Sequence, residues 1–136
     1  MILCVEDEPT LRADVVEELR HAGYTTLEAG DGAEGLECIL AHHPSLVFCD
    51  VTMPVMNGIE MFHKLRREHP QLQDIRFVFL SALDDIPSLI ADGLRVDGFM
   101  TKPVNFDEIL AMAKKQIGPP AARGAPIVTP GSGRVS

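Results

Sequence analysis

The sequence predicts one α/β domain, a doubly wound parallel sheet of five strands in the order 2-1-3-4-5 with helices on both faces. Three observations carry this. Short apolar runs alternate with segments of helical period five times between residues 2 and 117. Strict strand–helix alternation means parallel strands joined by right-handed crossovers. The length of 136 residues, with 46% apolar and 24% charged, suits a single globular domain with its own core.

The elements follow in order. Ile2-Leu3-Cys4-Val5 is unbroken and apolar, the pattern of a strand buried on both faces. A helix starts at Pro9, acceptable in a first turn, with Leu11, Val15, Val16 and Leu19 on one face and Gly23 as its stop. Tyr24 to Ala29 is an alternating, more polar strand suited to the sheet edge. The next helix runs from about Gly32 to His42 with Leu36, Ile39 and Leu40 inward, ended by Pro44. Leu46-Val47-Phe48-Cys49 is the second wholly apolar strand, and Asp50 closes it. Gly58 to His69 is a helix buried through Ile59, Phe62 and Leu65 and stopped by Pro70. Ile75 to Leu80 is the fourth strand, Ile86 to Leu94 a short helix, and Gly98-Phe99-Met100 the fifth strand. The last helix, about Asn105 to Ile117, buries Ile109, Leu110 and Ala113. Five such units form a flavodoxin-like domain whose switch point lies between the first and third strands.

Residues 118–136 differ in character. Four prolines and four glycines without apolar period read as a disordered tail or linker, leaving 1–117 as the domain. The chain carries −8, and since 118–136 hold two arginines and no acid, residues 1–117 carry −10. An acidic body argues against direct binding to nucleic acid or an anionic membrane, and favours a cation. No apolar run is long enough to span a bilayer. The start, with Glu6-Asp7-Glu8 directly after one short apolar run, does not read as a signal peptide. Cys4, Cys38 and Cys49 lack metal-ligand spacing and read as buried thiols, so a reducing, cytoplasmic setting is expected.

Four of the five strands end in reactive groups: Glu6-Asp7, Asp50, Ser81 and Lys102-Pro103. Each has a plain alternative. Asp50 could cap a turn, the acidic cluster could favour a helix N-terminus, Ser81 with Asp84 could cap a helix, and Lys102 could be a surface lysine. Those alternatives do not explain why all four lie along the sheet edge where open α/β folds bind ligands. Carboxylates from adjacent strands would repel without a cation among them. Oxygen-only ligation suits Mg²⁺, and a nearby lysine and hydroxyl suit a phosphoryl group. The chemistry implied is phosphoryl transfer onto a carboxylate nucleophile.

Five segments in this order resemble the response-regulator receiver domain, the phospho-acceptor half of a two-component system. They are Ile2 to Pro9, Asp50 to Pro54, Met56-Asn57-Gly58, Ser81-Ala82 and Phe99 to Pro103. The resemblance covers residues 1–117 and implies specific roles. Asp50 matches the aspartate that accepts a phosphoryl group from a histidine kinase or histidine phosphotransfer protein. Asp7 and Glu6 match the acidic pair holding Mg²⁺, Glu6 through a water, and the Thr52 carbonyl matches the third protein ligand. Lys102 matches the lysine that pairs with phosphoryl oxygens. Ser81 matches the switch hydroxyl, and Phe99 the aromatic that follows it, although the family often has tyrosine there. The peptide before Pro103 is expected to be cis. By analogy the domain signals to a downstream protein, and possible homodimers form, through residues 86–117. Leu83 and Thr52 are expected to orient attacking water poorly, which makes the acyl phosphate long-lived.

Rival readings fit fewer residues. Gly30-Asp31-Gly32-Ala33-Glu34-Gly35 is a literal G-x-G-x-x-G, and Asp50 lies 20 residues after Gly30, as in a dinucleotide-binding domain. That reading leaves Glu6, Asp7, Ser81 and Lys102 unused and needs a sixth strand. An aspartyl-phosphate hydrolase needs a second carboxylate two residues after the nucleophile, where this chain has Thr52. A pseudo-receiver serving only as a binding module would not need the complete acid, Asp, Ser and Lys set.

Overall fold

The five apolar runs form five strands: β1 (Ile2–Val5), β2 (Thr26–Ala29), β3 (Leu46–Asp50), β4 (Arg76–Ser81) and β5 (Gly98–Thr101). All pair in parallel, in the order β2-β1-β3-β4-β5. The helices are α1 (Pro9–His21), α2 (Gly32–His42), α3 (Gly58–Glu68), α4 (Ile86–Ala91) and α5 (Phe106–Ile117). The computed structural model describes residues 1–120, so most of the expected tail lies outside the described residues.

Alternating side chains of the central strands feed two separate cores. Leu3, Val5, Val47, Phe77 and Phe79 face α2 and α3, meeting Ile39, Met61, Phe62 and Leu65. Ile2, Cys4, Phe48, Val78 and Leu80 face α1 and α5, meeting Val15, Val16, Leu19, Ile109 and Ala113. This two-sided burial explains why β1 and β3 read as continuous apolar runs, while edge strand β2, buried only at Thr26 and Ala29, carries the polar Thr26 and Glu28. Each large side chain so buried contributes about 1.5–3 kcal/mol.

Polar residues fix the helix starts. Glu8, Asp31 and Asn105 accept hydrogen bonds from the backbone N–H groups of Leu11, Glu34 and Glu108. Asn57 and Glu60 cap α3 reciprocally, at 2.8 and 3.0 Å. Each such cap is worth about 1 kcal/mol. Gly23, with φ 109°, and Gly93, with φ 84°, turn the chain after α1 and α4.

Several helical positions differ from expectation. Leu40 is exposed, because Leu36 and Ile39 already define the buried stripe of α2 and Leu40 falls at its margin. In α3 the buried set is Gly58, Met61, Phe62 and Leu65, and Ile59 is only half-buried. Leu110 is likewise half-buried. The fourth helix stops at Ala91, short of Leu94, and none of its residues is buried. Cys38 is half-buried, unlike Cys4 and Cys49. Strands β2 and β4 each start later than expected, at Thr26 and Arg76, and β4 and β5 run one residue further, to Ser81 and Thr101.

Candidate functional site at the carboxyl edge of the sheet

The strand register decides what meets at this edge. Val5 pairs with Cys49 in β3, so Glu6 and Asp50 emerge side by side. Asp50 pairs with Leu80, which sets Ser81 one step beyond it, and Ser81 pairs with Thr101, directly before Lys102. The Lys102 N–H donates to the Ser81 carbonyl at 2.9 Å, extending the ladder to the lysine itself. The Lys102–Pro103 peptide is cis, as expected.

Burial at this edge is unusual for charged groups. Glu6 is 1% exposed and Asp50 5% exposed. Lys102 Nζ donates to Asp50 Oδ2 at 2.9 Å and lies 3.1 Å from Glu6 Oε1. The second contact is an ion pair without hydrogen-bond alignment, and Glu6 Oε1 is left as a buried oxygen with no hydrogen-bond partner. Glu6 Oε2 accepts from the Glu8 N–H at 3.1 Å. Burial raises the Glu6 carboxyl above its ordinary value, against the opposing pull of the Glu8 N–H and Lys102. Partial burial alone would lower the Lys102 ammonium, but Asp50 and Glu6 outweigh it and raise it.

Ligand oxygens of Glu6, Asp7 and Asp50 all lie within 4.8 Å of one another, a group that could hold a metal ion. Glu6 Oε1, which has the Lys102 ammonium beside it but no aligned hydrogen bond, and the all-carboxylate donor set fit a hard cation. Of the other residues singled out in the sequence, Ser81 is buried at the end of β4. Phe99 is half-buried and stacks on Phe79 with ring centroids 6.5 Å apart. Thr52 is exposed in the loop after β3, and Leu83 is 66% exposed after β4. Ser81 and Asp84 do not form the alternative helix cap.

The glycine motif does structural work. The Gly32 N–H, which a pyrophosphate would require, donates to the Met56 carbonyl at 3.0 Å. A Cβ on Gly32 would collide with that carbonyl, and one on Gly35 would press on Met61 and Val5. The motif therefore seats α2 against the loop that follows Asp50.

Sequence reasoning missed Arg12. Its Nη1 donates to the Glu6 carbonyl at 2.7 Å, and its Nε pairs with Glu28 Oε1 at 3.4 Å. A basic residue one turn into the helix after an acidic strand end was the available signal.

The chain is similar to known proteins over most of residues 1–120. The family model described as the response regulator receiver domain matches residues 2–114. The probable transcriptional regulatory protein TcrX of Mycobacterium tuberculosis is 36% identical over 110 residues, covering 80% of this chain and 46% of that protein. The sensor kinase CckA of Brucella abortus is 35% identical over 121 residues, covering 85% of this chain and 12% of that protein. This chain thus spans less than half the length of either relative. The crystal structure of the receiver domain of NtrX from Brucella abortus superposes with a TM-score of 0.76 at 25% identity, covering 86% of this chain and 98% of that one. By family match, sheet order and site, the chain belongs to the response-regulator receiver domains of two-component systems.

Proposed function

We propose that Asp50 accepts a phosphoryl group from a histidine kinase or histidine phosphotransfer protein and that the domain, residues 1–117, changes its partner affinity in response. One observation carries this reading: Asp50 is buried at a strand end, neutralised by Lys102 at 2.9 Å and grouped with Glu6 and Asp7. An Asp50 oxygen bonds to phosphorus as the P–N bond of the donor breaks, and the leaving imidazole keeps that electron pair and takes a proton from solvent. Lys102 balances the added charge, and the Ser81 hydroxyl donates to a phosphoryl oxygen, with Phe99 repacking beside it. Glu6, Asp7, Asp50 and the Thr52 carbonyl are the residues that would hold Mg²⁺. Bound there, the cation offsets negative charge on the transferring group.

Residues 86–117 are the proposed signalling face toward a downstream protein or a second copy. The three cysteines are free, in keeping with a reducing, cytoplasmic compartment. The role is a phospho-acceptor that assists its own phosphorylation and dephosphorylation. Incubation with acetyl phosphate tests this. A hydroxylamine-labile adduct should form on the wild type with Mg²⁺, and neither on Asp50→Asn nor without the metal. Adduct on Asp50→Asn would refute Asp50 as acceptor, and sustained turnover of a phosphomonoester would favour the hydrolase.

A further inference from the structure

We infer that Arg12 is a positioning residue of the cation site, fixing the Glu6–Asp7 peptide so that the Asp7 carboxylate faces Asp50; this rests on the metal reading above. Glu6 and Asp7 differ in how they are held. The Glu6 N–H still belongs to the sheet, donating to the Ala29 carbonyl at 3.1 Å. Its side chain is buried and bonded to the Glu8 N–H. Asp7 lies beyond the strand, is exposed and makes no hydrogen bond of its own among the described residues, so the preceding peptide plane is the nearest part of the chain held in place. The carbonyl of that plane is the acceptor of the 2.7 Å bond from Arg12 Nη1.

Arg12 is itself well anchored. It projects from α1, its side chain is only 22% exposed, and it pairs with Glu28 on β2. A Cβ on Gly30 would come within 3.2 Å of Arg12 Nη1, so the absence of a side chain there leaves the guanidinium its space. The guanidinium thus joins α1, the end of β1 and β2 at the point where a ligand must be aimed. Its positive charge acts the other way, since a cation beside a cation site weakens binding. Geometry and charge therefore predict opposite signs for its removal. Partners that orient metal ligands at one remove typically account for about 10–100-fold in affinity.

The test is a calorimetric titration of Mg²⁺ into the full chain, with urea unfolding in EDTA run alongside. Arg12→Gln should weaken Mg²⁺ binding by about tenfold while remaining folded in EDTA, and Arg12→Lys, which can still reach the Glu6 carbonyl, should recover part of the loss. Glu28→Gln should have a smaller effect than Arg12→Gln. If Arg12→Gln binds Mg²⁺ as tightly as wild type, or more tightly, Arg12 acts through charge or not at all and the inference falls alone. If Arg12→Gln does not fold, Arg12→Lys decides: Mg²⁺ binding weaker than wild type in a variant that stays folded in EDTA supports the inference, and unchanged or tighter Mg²⁺ binding overturns it. A wild type that binds no Mg²⁺ overturns the metal reading and this inference with it.

Discussion

Replacing Lys102 with methionine should lower stability and raise Mg²⁺ affinity at the same time. The ammonium lies 2.9 Å from Asp50 Oδ2 and 3.1 Å from Glu6 Oε1, and those two residues are nearly inaccessible to water. Removing one partner of a buried ion pair costs about 3–5 kcal/mol. The Lys102 side chain is 32% exposed, so screening reduces that figure, and about 2 kcal/mol is expected at pH 7. The same ammonium competes with any cation for Glu6 and Asp50. Two unit charges about 5 Å apart interact by about 3 kcal/mol at an effective dielectric constant of 20, so its removal should tighten Mg²⁺ at least about tenfold even after screening. The assay is urea unfolding of Lys102→Met and wild type in EDTA, repeated with Mg²⁺ and at pH 5 and pH 7. The Glu6 carboxyl is already raised by burial, and losing Lys102 raises it further. A carboxyl raised on folding favours the native state at low pH and loses that contribution as pH rises, so the variant's deficit should shrink at pH 5. Unchanged Mg²⁺ affinity, or a deficit that Mg²⁺ does not repair, would refute the reasoning.

Two further outcomes are expected. Leu83, exposed and apolar, cannot orient water at the phosphorylated Asp50, so Leu83→Glu should shorten the life of the acyl phosphate several-fold, followed as release of inorganic phosphate. A wild-type adduct decaying as fast as that of the variant would sink the idea. Burial first, and then the charge of Glu6, push the Cys4 thiol from 9.0 up to about 12, and burial also raises Cys49. Groups raised in this way stabilise the fold below their unfolded value and lose that contribution above it. Stability should therefore fall by about 1.4 kcal/mol per pH unit per thiol above pH 9. Urea midpoints between pH 8.5 and 10 should fall less steeply for Cys4→Ala, and equal slopes would contradict that origin.

The sheet was readable because its central strands are buried on both faces, which leaves no polar residue to interrupt the runs at Ile2–Val5 and Leu46–Cys49. The site was readable for the same reason, since Glu6 and Asp50 are conspicuous where those runs end. Helix faces were less legible. An apolar residue at the margin of a stripe, such as Leu40 or Ile59, has the composition of a core position and the geometry of a rim. Arg12 was harder to single out, because a basic residue one turn into a helix is a weak signal and the backbone carbonyl it bonds carries no sequence label. The glycine motif misled for a related reason. Close approach of a backbone to a phosphate and close approach to the Met56 carbonyl demand the same missing side chain.

The stretch between Ser81 and Met100 divides the molecule unequally. β4 is buried through its last five residues, yet no residue from Ala82 to Phe99 is buried, and Leu94, Val96 and Phe99 only lean on the core. Most of the folding free energy therefore resides elsewhere, and this stretch can open at a fraction of the cost of global unfolding. The amides of residues 82–96, which lie before the hydrogen-bonded ladder of β5, should be among the first to exchange with deuterated solvent. A small free-energy input at Asp50 is then enough to bias the conformation of residues 82–96, while the sheet holds the chemistry still.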